Sequence, residues 1–254
     1  MRLIAFHQME EKTKRWAFEL AKWGLVLGLV SLAALLSSPA GYRAGLFGHR
    51  TAFKIMEFAA YGGVSGVIIA AAGLIWALKK PGRARLLALS GVIAGFFAFY
   101  IPWSLLSGAR EFPPINDITT DMDSPPEFVS LVEARKAYGS RVDYPGADMA
   151  GKQAASYPGI RPLIMDMGAD AAFDRALSAA KEMGWEISAS DKTARRIEAT
   201  DTTFWFGFRD DIVIRLTPAE SRTRLDVRSA SRVGKGDAGK NAERIREYLG
   251  KVER

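Results

Sequence analysis

Residues 58–78 read FAAYGGVSGVIIAAAGLIWAL, 21 positions without a charged side chain. About 20 apolar residues in a helix cross a hydrocarbon core roughly 30 Å thick. Two similar runs flank this one: residues 23–42 carry no charge for 20 positions and residues 86–109 for 24. Three such runs within the first 107 residues leave too little polar chain to wrap them in water. The reading is a three-helix transmembrane region (residues 1–107, spans at about 20–40, 57–78 and 86–107) followed by a soluble domain over residues 108–254.

Charge supports the same division. The first 107 residues hold 12 Lys/Arg and 4 Asp/Glu; the remainder holds 23 and 24, so the net +7 is +8 before the boundary and −1 after it. A nucleic-acid binder concentrates basic charge on its binding domain. Here the excess sits beside apolar spans, where it sets topology, and no nucleic-acid partner is expected. Arg2, Lys12, Lys14 and Arg15 precede the first span, and Lys79, Lys80, Arg83 and Arg85 crowd the turn between the second and third. Arg43, Arg50 and Lys54 are spread over the longer loop between the first two. The positive-inside rule then predicts a cytoplasmic N-terminus and an extracytoplasmic domain, which in a bacterium means the inner membrane and the periplasm. The first apolar run starts late, after Glu10, Glu11, Lys12, Lys14 and Arg15, so a cleavable signal peptide is not expected. Gly24-x-x-x-Gly28 and Gly62-x-x-x-Gly66 permit close helix contact. Glu57 reads as interfacial, and Trp16, Trp23, Trp76, Tyr100 and Trp103 as an aromatic belt.

The chain has no cysteine, and its two histidines, His7 and His49, both lie before the domain. Disulfides, thiol nucleophiles, Cys or His zinc sites and a Ser-His-Asp triad within the domain are excluded.

Residues 108–168 are punctuated by Pro113-Pro114, Pro125-Pro126, Tyr144-Pro145-Gly146 and Tyr157-Pro158-Gly159. Too rich in Ile, Val, Phe, Leu and Tyr for a disordered linker, this stretch is expected to wrap over a folded core, with a short helix within 126–138. From residue 169 the pattern is regular. A helical stripe over 171–183 has Asp170 as its N-cap and Gly184 as its stop. Strands follow at 185–190, 195–202, 212–216 and 224–231, then a helix capped by Asp237. The expected fold class is α+β: a four-stranded antiparallel meander sheet with flanking helices on one face and a partly solvated Arg/Asp face on the other.

Several strings are also familiar together. Pro113-Pro114-Ile115-Asn116-Asp117-Ile118-Thr119-Thr120-Asp121 resembles the opening motif of domain-of-unknown-function family 1499. Tyr144-Pro145-Gly146, Tyr157-Pro158-Gly159, Arg196-Ile197-Glu198-Ala199-Thr200 and Asp210-Asp211-Ile212 resemble later ones. The run Asp226-Val227-Arg228-Ser229-Ala230-Ser231-Arg232-Val233-Gly234, continued by Asn241-Ala242, is the most specific. The resemblance covers about residues 110–250 and implies a domain found in bacteria and plastid-bearing organisms, in some members behind membrane spans. It implies no activity and no catalytic residue.

Four sets of residues invite chemistry. Asn116, Asp117, Asp121 and Asp123 in one loop, with Asp210 and Asp211 in a turn, could offer oxygens to a hard cation, or cap turns. Phe204, Phe206 and Phe208 read as core on one face of a strand, leaving Trp205 for an outward contact. Arg224, Asp226, Arg228, Ser229, Ser231 and Arg232, joined by Arg196 and Arg215, read as a solvated ion-pair ladder or as an anion-binding surface. The lysines show no recognisable spacing to a serine nucleophile. The candidate ligand- or partner-binding residues are Trp205, Arg196, Arg215, Asp226, Arg228, Arg232, Asn116 and Asp117, with no metal or cofactor assigned. Expected partners are the lipid bilayer, other envelope proteins, or a lipid or anionic small molecule. Two functions lead: an envelope binding domain without enzymatic activity, or a carboxylate- or metal-dependent enzyme at the membrane surface; a transporter is a third, which would need oligomerisation because three spans with no interior charge pair offer no ion path.

Overall fold

A computed structural model describes residues 2–78 and 82–254. The chain divides into two compact units, Met1–Ser107 and Gly108–Arg254. Lys79, Lys80 and Pro81 of the basic turn lie outside the described residues.

Three helices form the N-terminal part: α1 (Arg2–Arg43), α2 (His49–Ala77) and α3 (Arg83–Ala109). All three are long and apolar enough to cross a membrane. Their packing follows residue size. The buried positions of α2 are Ala52, Met56, Ala59, Gly63, Gly66, Ala70, Gly73 and Ala77, in alternating steps of four and three. Those of α1 keep the same rhythm through Ala17, Ala21, Gly24, Gly28, Ser31, Leu35 and Ser38. A seven-residue repeat keeps one face towards its neighbour over several turns. The large apolar side chains, among them Trp23, Phe58, Ile68, Trp76, Phe96 and Trp103, point outwards. Small inside and large outside reverses the pattern of a water-soluble bundle, and fits a solvent as apolar as the side chains themselves.

The small residues are required by distance. A Cβ on Gly63 would stand 2.6 Å from the Gly95 carbonyl oxygen, and one on Gly24 2.5 Å from the Ala70 backbone nitrogen. Gly24, Gly28 and Gly66 therefore lie in the helix contact, together with Gly91 and Gly95 of α3. The Ser38 hydroxyl adds a buried hydrogen bond of 2.7 Å to the Ala52 carbonyl. The Glu57 side chain is exposed on α2 and accepts a hydrogen bond from the Tyr61 hydroxyl at 3.1 Å.

The second unit is built on one antiparallel sheet. The expected meander is present as β3 (Glu186–Asp191), β4 (Arg196–Thr202), β5 (Arg209–Ala219) and β6 (Arg222–Ser231). The sheet is larger than four strands, because the Pro-rich stretch contributes β1 (Asp117–Thr119) and β2 (Leu163–Met165). Both pair with the outer side of β6, giving the order β1-β6-β5-β4-β3 with β2 beside β6 as well. Between them Thr120 bridges the gap: its N–H donates to the Val227 carbonyl and its hydroxyl accepts from the Val227 N–H, both at 2.9 Å.

Four helices accompany the sheet: α4 (Val132–Ala137), α5 (Ala147–Ser156), α6 (Ala169–Glu182) and α7 (Lys240–Val252). Ile197, Ile212, Ile214, Leu225 and Val227 line the face that meets α6 and α7, against Phe173, Ala176, Ala180, Ile245 and Tyr248. Each large side chain so buried contributes roughly 1.5–3 kcal/mol. Trp185 packs on Tyr248 with ring centres 5.0 Å apart and planes tilted by 30°, and the Tyr248 hydroxyl donates to the Ala176 carbonyl at 3.0 Å. Gly184, at φ +76°, ends α6 as expected, but the N-cap is Gly168 and Asp170 sits in the first turn. The Asp237 carboxylate accepts the N–H groups of Gly239 and Asn241 and so caps α7. On α5, the fully buried Gln153 amide accepts from the Thr119 N–H at 3.0 Å and donates to the Thr119 carbonyl at 2.6 Å. One side chain thus imitates the next strand and closes the β1 edge.

The other sheet face is partly solvated at one end, where Arg196, Arg215 and Arg224 keep some exposure, and covered over the rest. The segment from Asp117 to Tyr144 crosses it, and Phe128 and Leu131 pack on Val213 and Ala230. Asp211, Asp226 and Arg228 beneath are at most 1% exposed.

Candidate functional site

Strand alternation puts Arg196, Glu198 and Thr200 of β4, Asp211 and Arg215 of β5, and Arg224, Asp226, Arg228 and Arg232 of β6 and its continuation on the face that the loop covers. Burying a lone charge is prohibitive, so each needs a partner. Some pair with each other on this face, and the loop adds Asp117, Asp121 and Arg135.

At one end, Arg215 and Arg224 both reach Asp226 and Asp121, at 2.9–3.1 Å. The bond to Asp226 holds the Arg224 guanidinium above its usual pKa, helped by Asp121 and Asp123 and opposed by partial burial. Arg196 donates to Glu198 at 3.0 Å. The fully buried Glu198 carboxylate also accepts three successive backbone N–H groups, of Val129, Ser130 and Leu131, at 3.0 Å each. It anchors the loop by the chain itself, as a cap does at a helix start.

In the middle, Arg228 makes a two-pronged pair with Asp117 (2.9 and 2.8 Å) and donates to the Pro126 and Val142 carbonyls. Its guanidinium lies 4.8 Å from the Phe128 ring and 5.6 Å from that of Tyr144. At the far end, Asp211 accepts from Arg135 (2.9 Å), Arg232 (2.8 Å) and Thr200 (2.9 Å). Burial lowers the Arg135 pKa against the pull of Asp211. Burial works the same way on Arg232, but its bonds to Asp211 outweigh it, and the net shift is upward.

The helix-covered face has its own set. Arg244 of α7 binds Asp201 (2.8 Å), Asp210 (2.7 Å), Ser229 (3.2 Å) and Asn241 (2.6 Å). Asn241 accepts from Ser229 and donates to Ser231 and to the Asn116 carbonyl. The Asn116 amide donates to the Gly234 carbonyl at 2.7 Å.

The sequence-predicted residues therefore fall in five places. Arg196, Arg215 and Asp226 meet at one end of the covered face, Arg228 and Asp117 in its middle, and Arg232 at the other end. Asn116 joins the α7 network at the sheet edge, and Trp205 stands apart. Residues 204–206 form a turn, not a strand: the Thr203 and Gly207 N–H groups bond to Phe208 and Thr203 carbonyls, and Gly207 has φ +70°. Inside and outside differ accordingly. Phe206 is buried, Trp205 is half-buried, and Phe204 is 97% exposed. Asp117, Asp121 and Asp211 share a face while Asp210 lies on the opposite one. Among the described residues no three His, Asp or Glu side chains converge as a metal site would require.

One of the buried polar groups that pairing leaves over, on Tyr144, belongs to a residue lining a cleft. The cleft measures about 180 Å³ and is lined by Pro125, Glu127, Phe128, Val142, Asp143, Tyr144 and Arg228. The Tyr144 hydroxyl is buried there without a hydrogen-bond partner among the described residues. Burial, with help from Asp117, pushes its pKa up to about 12, so the group stays protonated. Sequence reading missed this tyrosine because Tyr144-Pro145-Gly146 signals a turn and nothing more.

No curated protein matches the chain. A family model described as a protein of unknown function (DUF1499) matches residues 117–252, more than half of the chain. That span begins at the first residue of β1 and ends at the last of α7, and so takes in both polar networks apart from Asn116; by this match the chain belongs to the DUF1499 family.

Proposed function

We propose that this is a multi-pass protein of a bacterial inner membrane, with its N-terminus in the cytoplasm and residues 108–254 in the periplasm. The domain there acts by binding an envelope partner, a lipid or a small ligand, not by turnover. One observation carries the reading: the acidic and basic side chains that catalysis would need are engaged with each other, Asp117 with Arg228, Asp211 with Arg135 and Arg232, and Asp210 with Arg244. The flanking basic residues support the orientation. Protease treatment of intact spheroplasts and of inverted vesicles tests it. Cleavage of the domain in spheroplasts is expected; protection there, with cleavage in inverted vesicles, reverses the sidedness and discards the periplasmic partners. Turnover by the purified chain that depends on Asp117, Asp121, Asp210 or Asp211 would replace binding with the enzyme reading.

A further inference from the structure

We infer that the turn between β4 and β5, residues 203–208, enters the headgroup layer of the bilayer that α3 crosses, with Phe204 as the inserted side chain. This contact adds to the binding role proposed above. It needs only that α3 spans the membrane, and it holds for either side.

Strand directions decide which turns share an end with the entering chain. Asp117, the first residue of β1, lies opposite Ala230 near the end of β6, and Ala230 lies opposite Asp211 near the start of β5. Asp211 faces Thr200 of β4, whose last residue, Thr202, pairs with Arg209. The point where the chain enters the sheet and the 203–208 turn are therefore at one end of it, three strand spacings or about 14 Å apart. The entering chain is short. A Cβ on Gly239 would stand 2.6 Å from the Phe112 ring, so that ring is already seated on the domain. Phe112 follows Ala109, the last residue of α3, by three positions, a reach of roughly 11 Å at about 3.6 Å per residue.

The turn presents an apolar tip on a rigid base. The Thr203 N–H donates to the Phe208 carbonyl, the Phe208 N–H to the Thr203 hydroxyl, and the Gly207 N–H to the Thr203 carbonyl, each at 2.9 Å. The buried Phe206 stacks on Phe208, with ring centres 4.9 Å apart. Phe204 is left 97% exposed. A lone exposed apolar side chain is ordinary on a protein surface, but this one has company. Tyr138, beside Arg232, and Phe112 are exposed at the same end, while the hairpin turns at the opposite end, residues 192–195 and 220–221, hold no aromatic residue. Arg209 and Lys235 are also exposed at this end, whereas its carboxylates Asp201, Asp210 and Asp211 are paired with arginines. Aromatic rings beside basic side chains suit the bilayer interface, where rings settle at headgroup depth and Lys or Arg meets lipid phosphate. One protruding ring is too small for a stable protein interface, which buries about 800 Å² on each side. A bilayer accepts a single ring, because the spans already hold the domain at high local concentration.

The chain has no cysteine, so a single introduced one can carry a probe. Thr202→Cys, exposed beside the turn, and Ser221→Cys, exposed at the opposite end, are each labelled with bimane in the full chain. Both are reconstituted in vesicles of phosphatidylcholine and phosphatidylglycerol with brominated acyl chains. Quenching at residue 202 is expected to exceed that at residue 221 at least about threefold, since an interfacial group lies within about 5–10 Å of the acyl boundary. Phe204→Asp should bring residue 202 down to the level of 221, and Phe204→Trp should preserve the difference. Phe204 is outside the core, so an unchanged urea midpoint keeps the comparison fair. Equal quenching at 202 and 221, or quenching at 202 that survives Phe204→Asp, overturns the inference and leaves the binding role standing. Disulfide cross-linking between two unlabelled Thr202→Cys chains, without lipid quenching, overturns it in favour of a second copy.

Discussion

Asp211→Ala is expected to be the most damaging single change in the soluble domain that leaves the apolar core untouched. The carboxylate is fully buried and serves two guanidiniums that are 2% and 3% exposed, Arg135 and Arg232. After truncation Arg135 keeps the Ala230 and Arg141 carbonyls, but Arg232 keeps a long 3.4 Å contact to Thr200 and the Tyr138 ring, 5.1 Å from its guanidinium. Removing one partner of a buried ion pair costs about 3–5 kcal/mol, because the remaining charge has lost water and counter-ion together. A domain stable by about 5–15 kcal/mol loses roughly a fifth of its margin or more. With a urea dependence of about 2 kcal/mol per molar, the midpoint falls by roughly 2 M. Trp185, buried against Tyr248, reports the transition by fluorescence in the full chain. Asp211→Leu combined with Arg135→Met and Arg232→Leu should regain most of the loss, since an apolar triad needs no desolvation. A midpoint shift under about 0.3 M for the single change would refute the reasoning, because both guanidiniums would then be hydrated and the loop would not be held by them.

Three further outcomes follow from the geometry. Glu198→Gln leaves one oxygen for three backbone N–H groups, so hydrogen exchange should rise across residues 126–145 with a loss of about 1–3 kcal/mol; unchanged protection there would show that the carboxylate is not the anchor. Gly63→Val drives a side chain into the Gly95 carbonyl, 2.6 Å from the ideal Cβ, and should cost about 1–3 kcal/mol in the helix bundle, seen as a lower thermal midpoint in detergent without change in the urea midpoint of the domain. Burial raises the Asp237 pKa above its ordinary 3.8, so the folded state binds more protons than the unfolded one between these values, and stability falls as pH rises through that window. Asp237→Asn removes this slope. The wild-type advantage should therefore shrink on going up from about pH 3.8, and a difference independent of pH would contradict it.

The membrane spans were readable because lipid imposes a crude demand, some twenty residues without charge, that residues 58–78 meet on their face. The meander was readable because Leu225 and Val227 alternate with Arg224, Asp226 and Arg228. The same alternation misled about most of the second face. Polar residues at every other position normally mean water, and here they mean a covering loop with complementary charges. That information is non-local: Arg228 looks solvated until Asp117, 111 positions earlier, is placed against it. The strands β1 and β2 are three residues each and too short to show a period. The Phe204–Phe208 run alternates like a strand, and only the Gly207 conformation turns it. The family motif Asp226 to Gly234 proves to be the interlocking part of the sheet: Asp226, Arg228, Ser229, Ser231 and Arg232 are each bonded within the domain.

The placement of β6 also sets a timetable. It is the last strand made, yet it holds β1 on its outer side, with Asp117 opposite Ala230. Closing a chain loop of that length costs about 2 kcal/mol more in entropy than closing one a tenth as long. Residues 117–165 must therefore wait for the strand that receives them, and the sheet should complete slowly. Through that delay Asp117, Asp121 and Arg135 remain hydrated, their guanidinium and carboxylate partners not yet presented. The charges that lock the finished domain are the ones that keep its unfinished half in solution.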